Sequence, residues 1–415
     1  MRIHLNKVWR AHADASAGWD GFIGDAEPYG SGDTIPGNLS MRLLYMFFDA
    51  TNMHRWNDHI RPLDLTELDK QAHKAAIAWA LGKSYESQYG SRLDWRKLIE
   101  HSVFSFIERS VMTDIKPPLF HRIKAEKAQE VADFVISEVH RLIPDMDPGF
   151  LSRMEDYLRS GGDAIEDEVL RAAHYMATHW EFSLIYDMNR RSVGIEQTRA
   201  DIESELDYHG HIISSMRRIM KGTDFVDLIG QLRFQQRWTR TPRIPQTTVL
   251  GHSLIVADMM FLADLDGGVD DRTLYNDYYT ALFHDLPEVL TKDVITPVKV
   301  NVGGLSDMLA SYEIEMIESK IMPMIPEDWR DEFRYIIYDP FKDRGSTEYG
   351  KVNGHDIKAC DMMGAYMEAR LSRYYGITSG VLKNAEIQSR EKMSAYESRI
   401  DLVRLMDDLE DICSE

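Results

Sequence analysis

The chain has 415 residues, 44% of them apolar, a formal net charge of −20 and two cysteines. The length exceeds the usual range of one domain and predicts two. The acidity argues against a broad basic footprint for duplex nucleic acid and is read first as a source of solubility. A metal and a few local cations can still govern one pocket for a small anion. Cys360 and Cys413 cannot form a disulfide framework, no apolar run approaches the roughly 20 residues of a membrane span, and the first residues hold no apolar signal core. The expectation is a cytoplasmic protein without a membrane partner.

Met1 to Ser40 begins with a short possible helix, then turns glycine-rich and reads as an arm or loop on the main body. From Met41 the pattern is helical. Leu68–Leu81, Trp95–Val111, Ala125–Leu142, Ile165–Tyr186 and Thr198–Met220 carry apolar residues at helical spacing, and Gly222 is placed to stop the last. A second set follows over Asp224–Trp238, Leu250–Leu265, Thr273–Leu290, Leu305–Met322, Asp328–Ile337, Asp356–Tyr375 and Ala385–Leu409. Alternating strand patterns are almost absent, so the fold class is all-α.

The two sets repeat each other. Arg55-Trp56 pairs with Arg237-Trp238, Phe104–Pro118 with Phe283–Pro297, Ala172–Glu181 with Ala359–Glu368, and Gln197-Thr-Arg199 with Gln388-Ser-Arg390, in the same order and about 180 to 190 residues apart. What differs is the chemistry. His252 falls opposite Lys70, His284 opposite Ser105, Asp285 opposite Phe106, Glu288 opposite Arg109 and Asp361 opposite His174. Phenylalanine cannot bind a metal, and lysine or arginine repels one. The first copy thus keeps the helices and drops the site. The expected division is a degenerate unit with an N-terminal arm over 1–222 and a functional unit over 223–415.

The second copy concentrates its chemistry in Ala281–Lys299, ALFHDLPEVLTKDVITPVK. On one helix, His284 and Glu288 share a face at i, i+4, and Asp285 lies about 100° from His284 around the axis, near enough to reach one metal. Taken alone, the His-Asp pair reads equally as a buried hydrogen bond at a helix end. After Val249, however, the chain has three histidines, and two of them, His252 and His284, accompany Asp285 and Asp361 on otherwise apolar helices. That grouping points to a metal site. His355-Asp356 lacks the same flanking residues and is set aside. His209 and His211, at strand spacing within a helical stretch, read as surface residues.

The order His252…His284-Asp285…Asp361 resembles the signature of the HD-domain metal-dependent phosphohydrolases. From about Asp224 to Leu409 the chain resembles more closely the bacterial HD-domain 5′-deoxynucleotidases, the YfbR-like group. The resemblance rests on Arg237-Trp238, His252-Ser253, His284-Asp285-x-x-Glu288-Val-Leu-Thr291-x-Asp293-x-x-Thr296-Pro-Val-Lys299, and Lys358-x-x-Asp361 with Tyr366. Gly251 departs from it, since that family often has glutamate before the first histidine.

The resemblance implies one divalent transition metal, Mn, Co, Fe or Zn, held by His252, His284, Asp285 and Asp361. Two nitrogens and two carboxylates suit such an ion and leave positions open. It implies Asp285 and Glu288 as catalytic residues, with Glu288 activating water. It implies Arg237, Trp238, Asp293 and Lys299 as substrate-binding, Arg237, Trp238 and Asp293 selecting a deoxyribose 5′-phosphate. Asp293 persists as Asp114 in the degenerate copy, so part of its role is read as holding a loop. Lys358 is read as a solvated lysine.

The expected function is removal of phosphate from deoxynucleoside 5′-monophosphates, small-molecule nucleotide substrates. The expected architecture is two tandem HD-like helical bundles packed as an intramolecular pseudo-dimer, with homo-oligomers left open. The alternatives are an HD-type hydrolase of dNTPs or other nucleotides and a non-catalytic nucleotide-binding regulator.

Overall fold

The computed structural model describes residues 37–113, 115–162, 164–292 and 304–414. The expected arm before Gly37 lies outside them. The first half runs through α1 (Met41–Asp49), α2 (Glu67–Tyr89), α3 (Trp95–Met112), α4 (Pro117–Leu142), α5 (Pro148–Ser160), α6 (Ile165–Asn189), α7 (Ile195–Tyr208) and α8 (Gly210–Ile219). A short ribbon, β1 (His54–Arg55) against β2 (Leu65–Thr66), joins α1 to α2. The second half runs through α9 (Asp224–Gly230), α10 (Val249–Gly267), α11 (Asp271–Phe283), α12 (Glu288–Thr291), α13 (Leu305–Met316), α14 (Arg330–Ile337), α15 (Gly354–Tyr374), α16 (Gly380–Ser394) and α17 (Leu402–Ile412). A second ribbon pairs β3 (Arg344–Ser346) with β4 (Gly350–Val352). The fold is all-α, and among the described residues no helix is long and apolar enough to cross a membrane.

Four expected helices are broken. Asp224–Trp238 ends at Gly230, with one tighter turn to Phe234 after it, and Arg237 and Trp238 fall in a loop. Thr273–Leu290 stops at Phe283. Pro287 has no N–H to bond the Phe283 carbonyl four residues back; the Leu286 N–H takes it instead at 3.0 Å, and the chain turns before α12 starts at Glu288. Thr198–Met220 divides at His209-Gly210. His209 is buried there and stacked on Tyr175, not on the surface; His211 is exposed. Ala385–Leu409 divides into α16 and α17, where Ser398 and Arg399 are drawn onto the Asp356 carboxylate.

α2 is the helix that both halves share. Its Trp79 is buried among Phe225, Tyr279, Phe283, Trp329 and Phe333, and its Nε1–H donates to Tyr275 Oη at 2.9 Å. All of these partners belong to the second half, and the buried apolar core is continuous across the two. The edges are tied in the same way. Asn38 and Leu39 donate backbone N–H groups to Asp266 at 2.7 and 3.0 Å, and Lys83 pairs with Glu332 at 2.7 Å.

The contact that matters for the site lies between α2 and α10. Thr248 caps α10 by accepting from the Gly251 N–H at 3.1 Å, and its hydroxyl donates to Asp69 Oδ1 at 2.5 Å. A Cβ at residue 251 would stand 2.7 Å from that same oxygen. Gly251, the departure from the family pattern, therefore makes room for a carboxylate from the other half.

Trp79→Ala removes a fully buried ring, and a cost of about 3–5 kcal/mol is expected. Because the ring sits in a core common to both halves, calorimetry should show one transition moving down as a whole. Two transitions, one of them unmoved, would contradict the shared core.

Candidate metal centre

The site starts from a turn. Arg237 N–H bonds the Thr247 carbonyl at 3.0 Å and Val249 N–H bonds the Gln235 carbonyl at 2.9 Å, closing a loop that carries Arg237 and Trp238. Trp238 has φ 58°, a region unfavourable for a bulky side chain. Its Nε1–H donates to Glu368 Oε2 at 2.7 Å and holds it there. The loop feeds directly into α10, which presents His252 in its first turn. α15 presents Asp361, Gly364 and Glu368 on one face, since i, i+3 and i+7 align on a helix. His284 and Asp285 lie where α11 ends.

These elements bring the four predicted ligands together. His252 Nε2 is 3.0 Å from Asp361 Oδ1; His284 Nε2 is 3.2 Å from Asp285 Oδ2 and 3.9 Å from Asp361 Oδ1. Ligand atoms of His252, His284 and Asp361 all lie within 4.8 Å of one another. Both imidazoles are buried. A Cβ at residue 364 would come within 3.0 Å of His252 Cε1, so Gly364 leaves the space that ring occupies.

The donor chemistry fits a cation. His284 Nδ1 donates to the Ala281 carbonyl at 2.6 Å. A carbonyl can only accept, so the neutral ring carries its lone pair on Nε2, turned toward two carboxylates. That arrangement is repulsive unless a positive charge lies between them. Burial opposes charging His284, but Asp285 and Asp361 outweigh it and raise its pKa to about 9. Against the same burial, His252 and Lys358 hold Asp361 far below the usual carboxylate range. Burial and the nearby Arg237 cation hold His252 down, toward the neutral form that ligates.

Around this centre the expected substrate residues are placed unevenly. Arg237 donates from Nε to Glu368 Oε2 at 3.2 Å and reaches Asp285 Oδ2 from Nη1 at 3.4 Å. Glu288 does not share a helical face with His284, because the chain turns at Pro287. It enters as the first residue of α12, with its carbonyl accepting from Gln235 Nε2 at 3.0 Å and its carboxylate close enough to act on Arg237. Asp293 and Lys299 lie outside the described residues. His355 is exposed, and Asp356 is occupied by Ser398 and Arg399.

Two residues were missed in the sequence reading. Lys358 is not simply solvated: its Nζ is 2.6 Å from Asp361 Oδ2 and 4.2 Å from the centre of the Phe341 ring. Glu368 is fully buried and accepts from Trp238, Arg237 and, on Oε1 at 2.5 Å, the Thr247 hydroxyl. Burial opposes its ionisation, but Arg237 and Arg243 lower its pKa to about 2. The signal for Glu368 was present, because it closes the Ala359–Glu368 match to Ala172–Glu181.

A turn with similar hydrogen bonds precedes α2 in the first half. Thr66 caps α2, Glu67 N–H bonds the Met53 carbonyl at 2.9 Å, and Trp56 has φ 55°. Glu181 accepts from Trp56 Nε1 at 2.9 Å and Arg55 Nε at 2.8 Å. At the centre Lys70 Nζ meets His174 Nδ1 at 2.8 Å, and Lys74 Nζ donates to Ser105 at 2.7 Å. Phe106, opposite Asp285, is stacked on Phe47 in the core.

Residues 229–389 match the family HD_3, described as HD domain. The chain is 28% identical over 152 residues to a 5′-deoxynucleotidase of Vibrio atlanticus (strain LGP32), covering 36% of this chain and 74% of that one. It is 28% identical over 155 residues to 5′-deoxynucleotidase PM0747 of Pasteurella multocida (strain Pm70), covering 36% and 75%. It is 26% identical over 155 residues to 5′-deoxynucleotidase YfbR of Escherichia coli (strain K12 / DH10B), covering 36% and 72%. A solved HD-domain phosphohydrolase (lin2634) of Listeria innocua aligns at TM-score 0.39 with 19% identity, over 46% of this chain and 89% of that one. Residues 229–389 thus match an HD domain, and that part of the chain is similar to the HD-domain 5′-deoxynucleotidases. Among these it resembles YfbR.

Gly364→Ala is expected to push the His252 ring off its place and weaken Mn²⁺ binding by about tenfold or more. Calorimetric titration of Mn²⁺ into EDTA-treated protein reads this directly. Unchanged affinity would put the ion somewhere other than beside His252.

Proposed function

We propose that this protein removes phosphate from deoxynucleoside 5′-monophosphates in a metal-dependent reaction, with the second half as catalytic unit and the first as a degenerate HD-like unit packed against it. The observation that carries the reading is buried His252 and His284 set against half-buried Asp285 and Asp361, with Arg237 and Glu288 at the border. Three relatives named as 5′-deoxynucleotidases support the substrate class. The ordered repeat and the matched turns at Trp56 and Trp238 support the two-unit division.

His252, His284, Asp285 and Asp361 would hold the ion; when bound, it supplies Lewis-acid polarisation of a phosphoryl oxygen and of water. His284 is kept in the ligating tautomer by Ala281. Glu288 accepts the proton of the attacking water as the bond between phosphorus and the 5′-oxygen breaks. Arg237 cannot swing away, because Glu368 grips its Nε, and it presents its remaining donors to a phosphate oxygen. Trp238, fixed by the same carboxylate, forms a wall for the sugar. Lys358 on Asp361 adds a cation at the rim.

A screen of Mn, Co, Fe and Zn against nucleotides should release inorganic phosphate from deoxynucleoside monophosphates, with no activity in EDTA or in Asp285→Ala. Release of triphosphate from dNTPs, or activity that survives Asp285→Ala, would contradict the proposal. Glu288→Gln should lower kcat by about 10²–10⁴-fold while Mn²⁺ affinity in titration is kept; loss of both together would make Glu288 a ligand rather than a base.

A further inference from the structure

Glu288, the base of the proposed reaction, stands on an element too small to hold itself in place. α12 has four residues, all of them half-buried, and a helix of that length is not stable alone. Val289 and Leu290 rest on the core. A second tie is Gln235, whose Nε2 donates to the Glu288 carbonyl at 3.0 Å. Gln235 is fixed in turn by its own carbonyl, which accepts from the Val249 N–H at 2.9 Å where α10 begins. One residue thus joins the start of α10, which carries His252, to the start of α12, which carries Glu288.

The seat of Gln235 is built by the first half. The 3₁₀ turn Gln231–Phe234 lies directly before it. Arg233 is buried, and its Nη2 donates to Glu181 Oε1 on α6 at 2.6 Å, with Asp69 on α2 near enough to feel its charge. Its guanidinium lies 5.2 Å from the centre of the Trp180 ring, and that ring is stacked on Phe234 at 5.5 Å. Just upstream, His73 Nε2 on α2 donates to the Val226 carbonyl at 2.8 Å. A Cβ at residue 230 would stand 2.7 Å from Trp180 and 2.8 Å from His73, so Gly230 lets the chain lie against both.

The tie is not repeated in the turn before α2. There the Glu67 N–H bonds the Met53 carbonyl as the Val249 N–H bonds that of Gln235, but the Met53 side chain has no hydrogen to donate. Thr51, two residues before Met53 as Arg233 is before Gln235, gives its hydroxyl to the Phe48 carbonyl at 2.7 Å. The residue opposite Glu288 in the repeat is Arg109, so donor and base are missing from the same copy. On the hydrolytic function proposed above, on which this step rests, we propose that Gln235 is a positioning residue for Glu288, and that the first half serves the reaction by holding Gln235 in place through Glu181, Arg233 and Trp180. A general base must stay within hydrogen-bond reach of the water it deprotonates, and a displacement of about 1 Å is enough to lose that reach.

The test uses the full-length, Mn²⁺-loaded protein. Gln235→Met keeps the shape of the side chain and removes the donor. It should lower kcat on deoxyadenosine 5′-monophosphate by about tenfold, with KM and Mn²⁺ affinity within about twofold of the native values. In a Glu288→Gln background the same substitution should lower kcat no further, because it acts through that carboxylate. Arg233→Met should act in the same direction, and hydrogen exchange of the Glu288–Lys292 amides should quicken by about threefold or more in both variants. Unchanged kcat, a loss carried by KM, equal losses in the two backgrounds, or unchanged exchange overturns the inference; if Arg233→Met does not fold, Gln235→Met decides it. Failure of the hydrolytic reading is seen separately, as absence of phosphate release by the native protein, and amide exchange then judges the Gln235 contact by itself.

Discussion

The geometry of the site depends on one buried carboxylate. Glu368 sits on α15 with no access to water, and burying a charge there is costly unless it is fully paired. Trp238, Arg237 and Thr247 pair it, and each lies on the loop that opens α10. The carboxylate thereby fastens that loop to α15, and the loop sets where α10 begins. His252 sits in the first turn of α10 and Asp361 two turns before Glu368, so the distance between these two ligands is fixed by a contact neither of them makes. Removing one partner of such a buried charge typically costs about 3–5 kcal/mol, much of it from the charge left behind.

The first half makes this separable from chemistry. Glu181 holds Trp56 and Arg55 in the same way, beside a Lys70 and His174 pair. The clamp is a building device, common to both halves, and the side chains it surrounds differ. In one half they are two imidazoles and two carboxylates, and in the other Lys70, Ser105, Phe106 and His174.

Much of this was legible in the sequence. Helical periodicity gave the class, and the grouping of His252, His284, Asp285 and Asp361 was readable because polar residues on otherwise apolar helices stand out against the pattern. The break before Glu288 was missed, although Pro287 announces it: periodicity counts apolar residues and does not count missing N–H groups. Glu368 was missed because a single acid in a helix looks like a solvated one until its partners, 121 to 131 residues away, are in place. Lys358 was underrated for the same reason, since only the fold reveals Phe341 above it. The contact of Asp69 with Thr248 joins two halves that the repeat treats as equivalent, and a comparison of copies has no means of seeing what one copy does to the other.

That contact has a consequence for how the two halves can change. Gly251 leaves a space on α10 that is taken by Asp69 from α2. Restoring a side chain at residue 251 while Asp69 remains would force two groups into one volume. Shortening Asp69 alone would strand the Thr248 hydroxyl beside an empty pocket. Each position is tolerable only in the company of the other, so neither can drift back by a single substitution. A change at residue 251 on α10 is therefore felt on α2 as well, so the two helices can be altered there only together.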